Sequence, residues 1–139
     1  MRFRNRVFDD LVQIVAGSAA RRAMDMKNKN VAVVEGYLKC LESGELSGAD
    51  LAENIRFDDP IAGRGSGSDN FRAFLGGFLP ALDRITIIQH ICEGEFVASH
   101  FIVDSSFGPI PILCKFRVID GRICEAYSFY DPRPVLGGR

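Results

Sequence analysis

An α+β domain beginning near residue 30 is what this 139-residue chain predicts. Two observations carry that prediction. Up to Leu82 the apolar residues recur at helical spacing in successive segments, whereas beyond Arg84 the chain is rich in isoleucine, valine and phenylalanine and reads as strands. The last two strands flank Asp120-Gly121, the strongest short hairpin signal in the chain. Two long hairpins after a run of helices need those helices to cover one sheet face, because an isolated hairpin is marginal in water.

Residues 1–29 read as an N-terminal extension and residues 30–139 as the domain. In the extension, Phe8, Leu11, Val12 and Val15 have the spacing of a short amphipathic helix, and basic residues outnumber acidic ones. From Asn30, the residues Val31, Val34, Leu38 and Leu41 mark a helix that stops near Ser43-Gly44. Leu46 to Asn54 is expected to form a second helix, capped by Ser47 with Asp50 in its first turn. Ile55-Arg56-Phe57 is a short strand ended by Pro60, and Ala62 to Ser68 a flexible glycine-serine loop. Asp69 is expected to cap a third helix that turns Phe71, Phe74, Leu75, Phe78 and Leu82 inward, weakened by Gly76-Gly77 and Pro80. Four strands follow: Arg84 to Cys92, Phe96 to Ser105, Ile110 to Ile119, and Arg122 to Tyr130.

Composition excludes several classes. A net charge of −1 gives no global field for nucleic acid. No apolar run approaches the length of a membrane span. Cys40, Cys92, Cys114 and Cys124 lie far apart without a CxxC, each in an apolar stretch, so reduced buried thiols in a cytoplasmic protein are expected ahead of zinc or a disulfide. With His90 and His100 the only histidines and no HxxxH-type spacing, no metal is expected. Gly63-Arg64-Gly65-Ser66-Gly67-Ser68 lacks the lysine and preceding buried strand of a phosphate loop.

Some residues suggest more than a fold. The helix carries Tyr37. A break at Gly44-Glu45-Leu46 is followed by a strand ending in Asp58-Asp59-Pro60. The sheet ends with Asp120-Gly121-Arg122-Ile123 and then Phe129-Tyr130-Asp131-Pro132. This order resembles the SnoaL-like branch of the NTF2-like (cystatin-like cone) superfamily, which includes ketosteroid isomerase. The resemblance implies a cone: three N-terminal helices on a strongly curved, mainly antiparallel sheet, enclosing an apolar cavity. It also implies proton transfer beside a carbonyl without a cofactor, as in an isomerase or a polyketide cyclase. Tyr37 falls where the isomerase has the phenol that donates to the developing enolate oxygen, and Asp59 where it has the proton-shuttling carboxylate. Cys114 takes the place of the second oxyanion donor, and a thiol donates weakly. Limonene epoxide hydrolase, another relative, uses an Asp-Arg-Asp cluster. Asp131 falls near its last aspartate, but His100 and Ile102 occupy the other two places, which disfavours epoxide hydrolysis.

Asp59, Tyr37 and His100 are therefore the candidate catalytic residues. Cys114, Tyr130, Asp131, Phe74 and Phe116 are the candidate ligand contacts for a small apolar, carbonyl-containing molecule. Each has a plainer reading. Asp59 can simply close a turn, Tyr37 can be a core aromatic, His100 a satisfied core histidine, and Asp131 a turn residue. The last strand carries aromatics in both alternating sets, as expected if one set lines a cavity and the other packs in a homodimer. A non-catalytic binding or dimerisation module is the alternative to the enzyme.

Overall fold

The computed structural model describes residues 6–137. Helix α1, Arg6–Ser43, runs without interruption through the expected boundary at residue 29. The reason is local: no proline interrupts the segment, and Ala16, Ala19, Ala20 and Ala23 are strong helix formers. Its side chains begin to be buried only at Asn30, followed by Val34, Tyr37, Leu38 and Leu41. The helix ends at Gly44, whose φ of 79° is left-handed. There the Glu45 amide donates to the Cys40 carbonyl (3.1 Å), the backward bond of a glycine stop.

The chain between Leu46 and Asn54 departs from expectation. One 3-10 turn, Leu46–Gly48, leads directly into strand β1, Leu51–Asp59. Ser47 does not cap a helix; its hydroxyl donates to Glu45. Tertiary pairing overrides the local helical pattern, since β1 lies parallel to the last strand, with Phe57 opposite Ala126 and Asp58 opposite Tyr127. The glycine-serine segment is likewise not a free loop. Gly63–Ser66 forms strand β2, antiparallel to β1. Gly65 is required there, because a Cβ would come within 2.4 Å of the Phe57 ring. Helix α2, Ser68–Phe78, follows, with Gly67 rather than Asp69 at its N-cap. The α-helices among the described residues are thus two, not three.

Strands β3 (Leu82–Glu93), β4 (Phe96–Ser105), β5 (Gly108–Ile119) and β6 (Arg122–Phe129) complete a six-stranded sheet of order β2-β1-β6-β5-β4-β3. All neighbours are antiparallel except β1 and β6. Asp120 and Gly121 both have positive φ (51° and 74°), as a type I′ hairpin turn requires. Register shifts in β1, β3 and β6 bend the sheet. Helix α1 packs on the inner face of β3 to β6, and α2 on β1 and β2. The core between them is built from Val34, Leu38, Ile55, Val97, Phe116 and Ile123, all at most 2% exposed.

Gly76 and Gly77 lie inside α2 without positive φ, and a Cβ at either would meet nothing within 4 Å. Nothing in the packing requires glycine. Gly76→Ala and Gly77→Ala are each expected to stabilise the protein by about 0.5–1 kcal/mol, read as a higher midpoint in denaturant unfolding. A loss of stability would show that the helix needs glycine for a reason other than space.

Candidate functional site

The inner face of the sheet is mostly apolar but carries one polar row. Cross-strand pairing sets His90 beside Ser99, Ser99 beside Cys114, and Cys114 beside Ser128. Asp59, one residue past the Asp58–Tyr127 pair, ends β1 at the same edge. Between this edge and the helices lies a cavity of about 90 Å³. Tyr37 and Leu41 line it from α1. Phe74, Leu75, Phe78 and Leu79 line it from α2 and the turn after it. Phe101, Cys114, Phe116, Ser128 and Tyr130 line it from the sheet side.

Asp59 is nearly buried, at 9% exposure. Its Oδ1 accepts from the Ile61 amide (2.8 Å), the Ala62 amide (3.1 Å) and the Tyr130 hydroxyl (2.9 Å). Its Oδ2 accepts from Tyr130 (3.1 Å). The carboxylate closes the turn after β1, and the side chain also lines the cavity, with Oδ2 the less occupied oxygen.

Tyr37 is 5% exposed, its ring edge-on to Phe116 (5.5 Å between centroids) and stacked on Phe71 (6.1 Å). Its hydroxyl exchanges no hydrogen bond with any described residue, yet the side chain lines the cavity. Burial holds its pKa well above the usual phenol value, with Cys114 and Asp59 adding to the rise, so the group stays a neutral donor. Burial also lifts the Cys114 thiol to about 12, against an opposing hydrogen bond from Ser128 and with a further push from Asp59. The Ser128 hydroxyl donates to the Cys114 sulfur at 3.5 Å. Tyr130 too is held neutral, first by burial and then by its bond to Asp59.

The structure therefore brings Tyr37, Asp59, Phe74, Cys114, Phe116 and Tyr130 to one cavity. It leaves two expected residues outside. His100 is exposed on the opposite sheet face, in a row with Gln89, Leu113 and Phe129. The strand's buried set is Val97, Ser99, Phe101 and Val103. Because Ala98 and Ile102 are as apolar as their neighbours, alternation alone could not tell the two faces apart. Asp131 is exposed beyond β6, its carboxylate chelated by Arg133 (2.6–3.0 Å), which lowers its pKa. The role of Tyr130 as the partner of Asp59 escaped the sequence reading, as did His90. The His90 Nδ1 lies 2.7 Å from the Ser99 hydroxyl and its Nε2 lies 3.1 Å from Glu35, pinning α1 to the sheet. A histidine on an inward β3 position opposite a serine was the available signal.

The raised acid groups imply alkaline sensitivity. In the unfolded chain the Cys114 thiol ionises near its ordinary 9.0; folded, it holds its proton to about 12. Between those values the unfolded chain binds fewer protons, so stability falls as pH rises. The full loss is on the order of 4 kcal/mol, and Tyr37 acts in the same direction at higher pH. Urea midpoints are expected to fall from about pH 9 upward and to fall less steeply in Cys114→Ala. An unchanged slope in that variant would remove Cys114 as the source.

Comparison with known proteins agrees with this architecture. Residues 34–126 match the SnoaL-like domain family. No curated protein is a significant match. Among solved structures, an NTF2-like protein of unknown function from Cytophaga hutchinsonii superposes with a TM-score of 0.69 at 19% identity, over 77% of this chain and 94% of that one. A protein from Kribbella flavida, provisionally assigned as a ketosteroid isomerase, gives 0.64 at 19% identity over 75% and 78%. An LEH-like epoxide hydrolase from M. tuberculosis gives 0.65 at 17% identity over 80% and 89%. At these identities the structures speak for the fold alone. The family match, which spans well over half of the chain, together with the curved sheet and the cavity at its edge, makes this protein a member of the SnoaL-like domain family, within the NTF2-like fold.

Proposed function

We propose that the protein binds a small carbonyl compound and moves a proton on the carbon next to the carbonyl. The observation that carries this reading is the pairing, in one apolar cavity, of a buried phenol without a hydrogen-bond partner among the described residues and a buried carboxylate. In the step, the substrate C–H bond breaks and its proton passes to Asp59 Oδ2. The electron pair moves onto the carbonyl oxygen, which accepts the Tyr37 O–H. Return of the proton to another carbon isomerises the compound, and attack of the enolate on a second carbonyl would cyclise it. Phe74 and Phe116 exclude water from the reacting atoms. Cys114, neutral and weakly donating, adds little to the oxyanion. No cofactor enters this scheme.

A non-catalytic binding module is the second reading, and one observation favours it. Tyr130 and two amides already donate to Asp59, so its carboxylate is engaged by the protein itself rather than left open to a substrate. The two readings part in a simple assay. With cyclohexenone in deuterated water, wild-type protein is expected to accelerate exchange of the protons next to the carbonyl. Asp59→Asn is expected to reduce that rate by at least roughly 100-fold, and Tyr37→Phe to reduce it with the fold intact. Exchange that is no faster than buffer in the wild type, or unaffected in Asp59→Asn, makes the module reading the correct one.

The outer sheet face supports homodimerisation as part of the same reading. Ile91 and Phe129 are each 61% exposed there, and Ile88, Phe96 and Leu113 are exposed nearby. Lys115 lies over the Phe96 and Tyr127 rings, covering part of this surface. Sedimentation at micromolar concentration is expected to show a dimer, and Phe129→Glu a monomer with an unchanged circular dichroism spectrum. A wild-type monomer would remove the outer face as an interface.

A further inference from the structure

We infer that the ligand of the cavity is a neutral, single-ring carbonyl compound, and that both polycyclic and charged ligands are excluded. The inference rests on the cavity reading above and narrows it by size and by charge.

Size comes first. The cavity measures about 90 Å³ and is open on one side. Pockets for drug-sized ligands run to roughly 300–1,000 Å³, and an apolar cavity of about 150 Å³ accepts benzene. The cavity is smaller than one that encloses benzene, so at most one six-membered ring fits, its carbonyl at Tyr37 and its far edge projecting into the open side. A fused four-ring skeleton would have to displace Phe74, Phe78 and Leu79, which close the cavity from the helical side.

Charge comes second. Among the described lining residues no lysine, arginine or histidine is present, and Asp59 is the one carboxylate. An anionic ligand would be desolvated beside a buried negative charge with no cation to offset it. A cationic amine gains less than the bare carboxylate suggests. The Ile61 and Ala62 amides and the Tyr130 hydroxyl already donate to Asp59. The cavity hydroxyl left without a partner among the described residues is that of Tyr37, whose O–H calls for an acceptor oxygen. A neutral carbonyl supplies that oxygen and carries no charge to desolvate.

The test uses the full chain and probes of matched shape. Ligand-observed NMR titrations would compare cyclohexenone with cyclohexanecarboxylate and cyclohexylamine for charge, and with progesterone for size. Cyclohexenone is expected to bind saturably and at least tenfold more tightly than the acid, the amine or the steroid. Tyr37→Phe is expected to weaken cyclohexenone binding about five- to tenfold, the worth of one buried hydrogen bond. Progesterone binding as tightly as cyclohexenone overturns the size assignment and leaves the proton-transfer reading in place. The acid or amine binding as tightly overturns the assignment of neutrality. A ranking that holds while Tyr37→Phe changes nothing leaves the size and charge selection standing and removes Tyr37 as the carbonyl donor, so the two readings fail separately. Absence of saturable cyclohexenone binding in the wild type overturns the inference outright.

Discussion

The charge on Asp59 is the constraint around which one end of this molecule is arranged. A carboxylate taken from water into an apolar cavity is costly unless hydrogen bonds replace its hydration. Among the described residues no cation does so. The replacement comes from neutral donors: two amides of the turn after β1 and the hydroxyl of Tyr130, just past the end of β6. Those bonds tie the end of β1 to the end of the sheet's central strand and fix the turn that leads to β2. Among the described residues the carboxylate has hydrogen-bond donors on both oxygens and no ion-pair partner.

Opposite Asp59, the depth of α1 on the sheet decides where the Tyr37 hydroxyl lies. Apolar packing alone would let a helix slide along a smooth face. Polar pins prevent it. His90 bridges Glu35 on the helix and the fully buried Ser99 on β4. Glu42, the penultimate residue of α1, accepts from the Ile85 amide at 2.8 Å. With the register held, the Tyr37 ring meets Phe71 on α2 and Phe116 on β5 at once. The phenol is thus positioned by contacts on both sides of the cavity and by a polar network that never touches a ligand.

The two faces of the sheet divide the chemistry. Inward, the row His90, Ser99, Cys114 and Ser128 crosses four strands and ends beside Asp59. Outward, Glu125 is held between Arg56 and Arg117, and Lys115 lies between two aromatic rings. Burial raises the proton affinity of Cys114 on the inward row, while on the outward face the Arg56 side chain that holds the buried Glu125 is itself largely exposed. Pleat parity assigns every strand residue to one of these roles, so an error of one residue in parity exchanges them.

How far the sequence alone reached can be judged residue by residue. The α+β class, the glycine stop at Gly44, the Asp120-Gly121 turn and the four long strands follow from local rules that no distant contact overturns. Tyr37 and Asp59 were legible as candidates because their places on a helix and at a strand end, which are local properties, match the order of elements in the family the chain resembles. Tertiary structure decided the rest. Leu51 to Asn54 became strand because β6 offered a partner, and Gly63 to Ser66 became strand because β1 did. His100 left the candidate site because its strand is apolar on both faces, so only the packing of α1 could choose the inner one. Tyr130 joined Asp59 across 71 residues of sequence, a contact that no spacing rule encodes. The size of the cavity came last. It is a difference between large packed volumes, set by how closely Phe74, Phe78 and Phe116 approach one another, and periodicity carries no information about that distance.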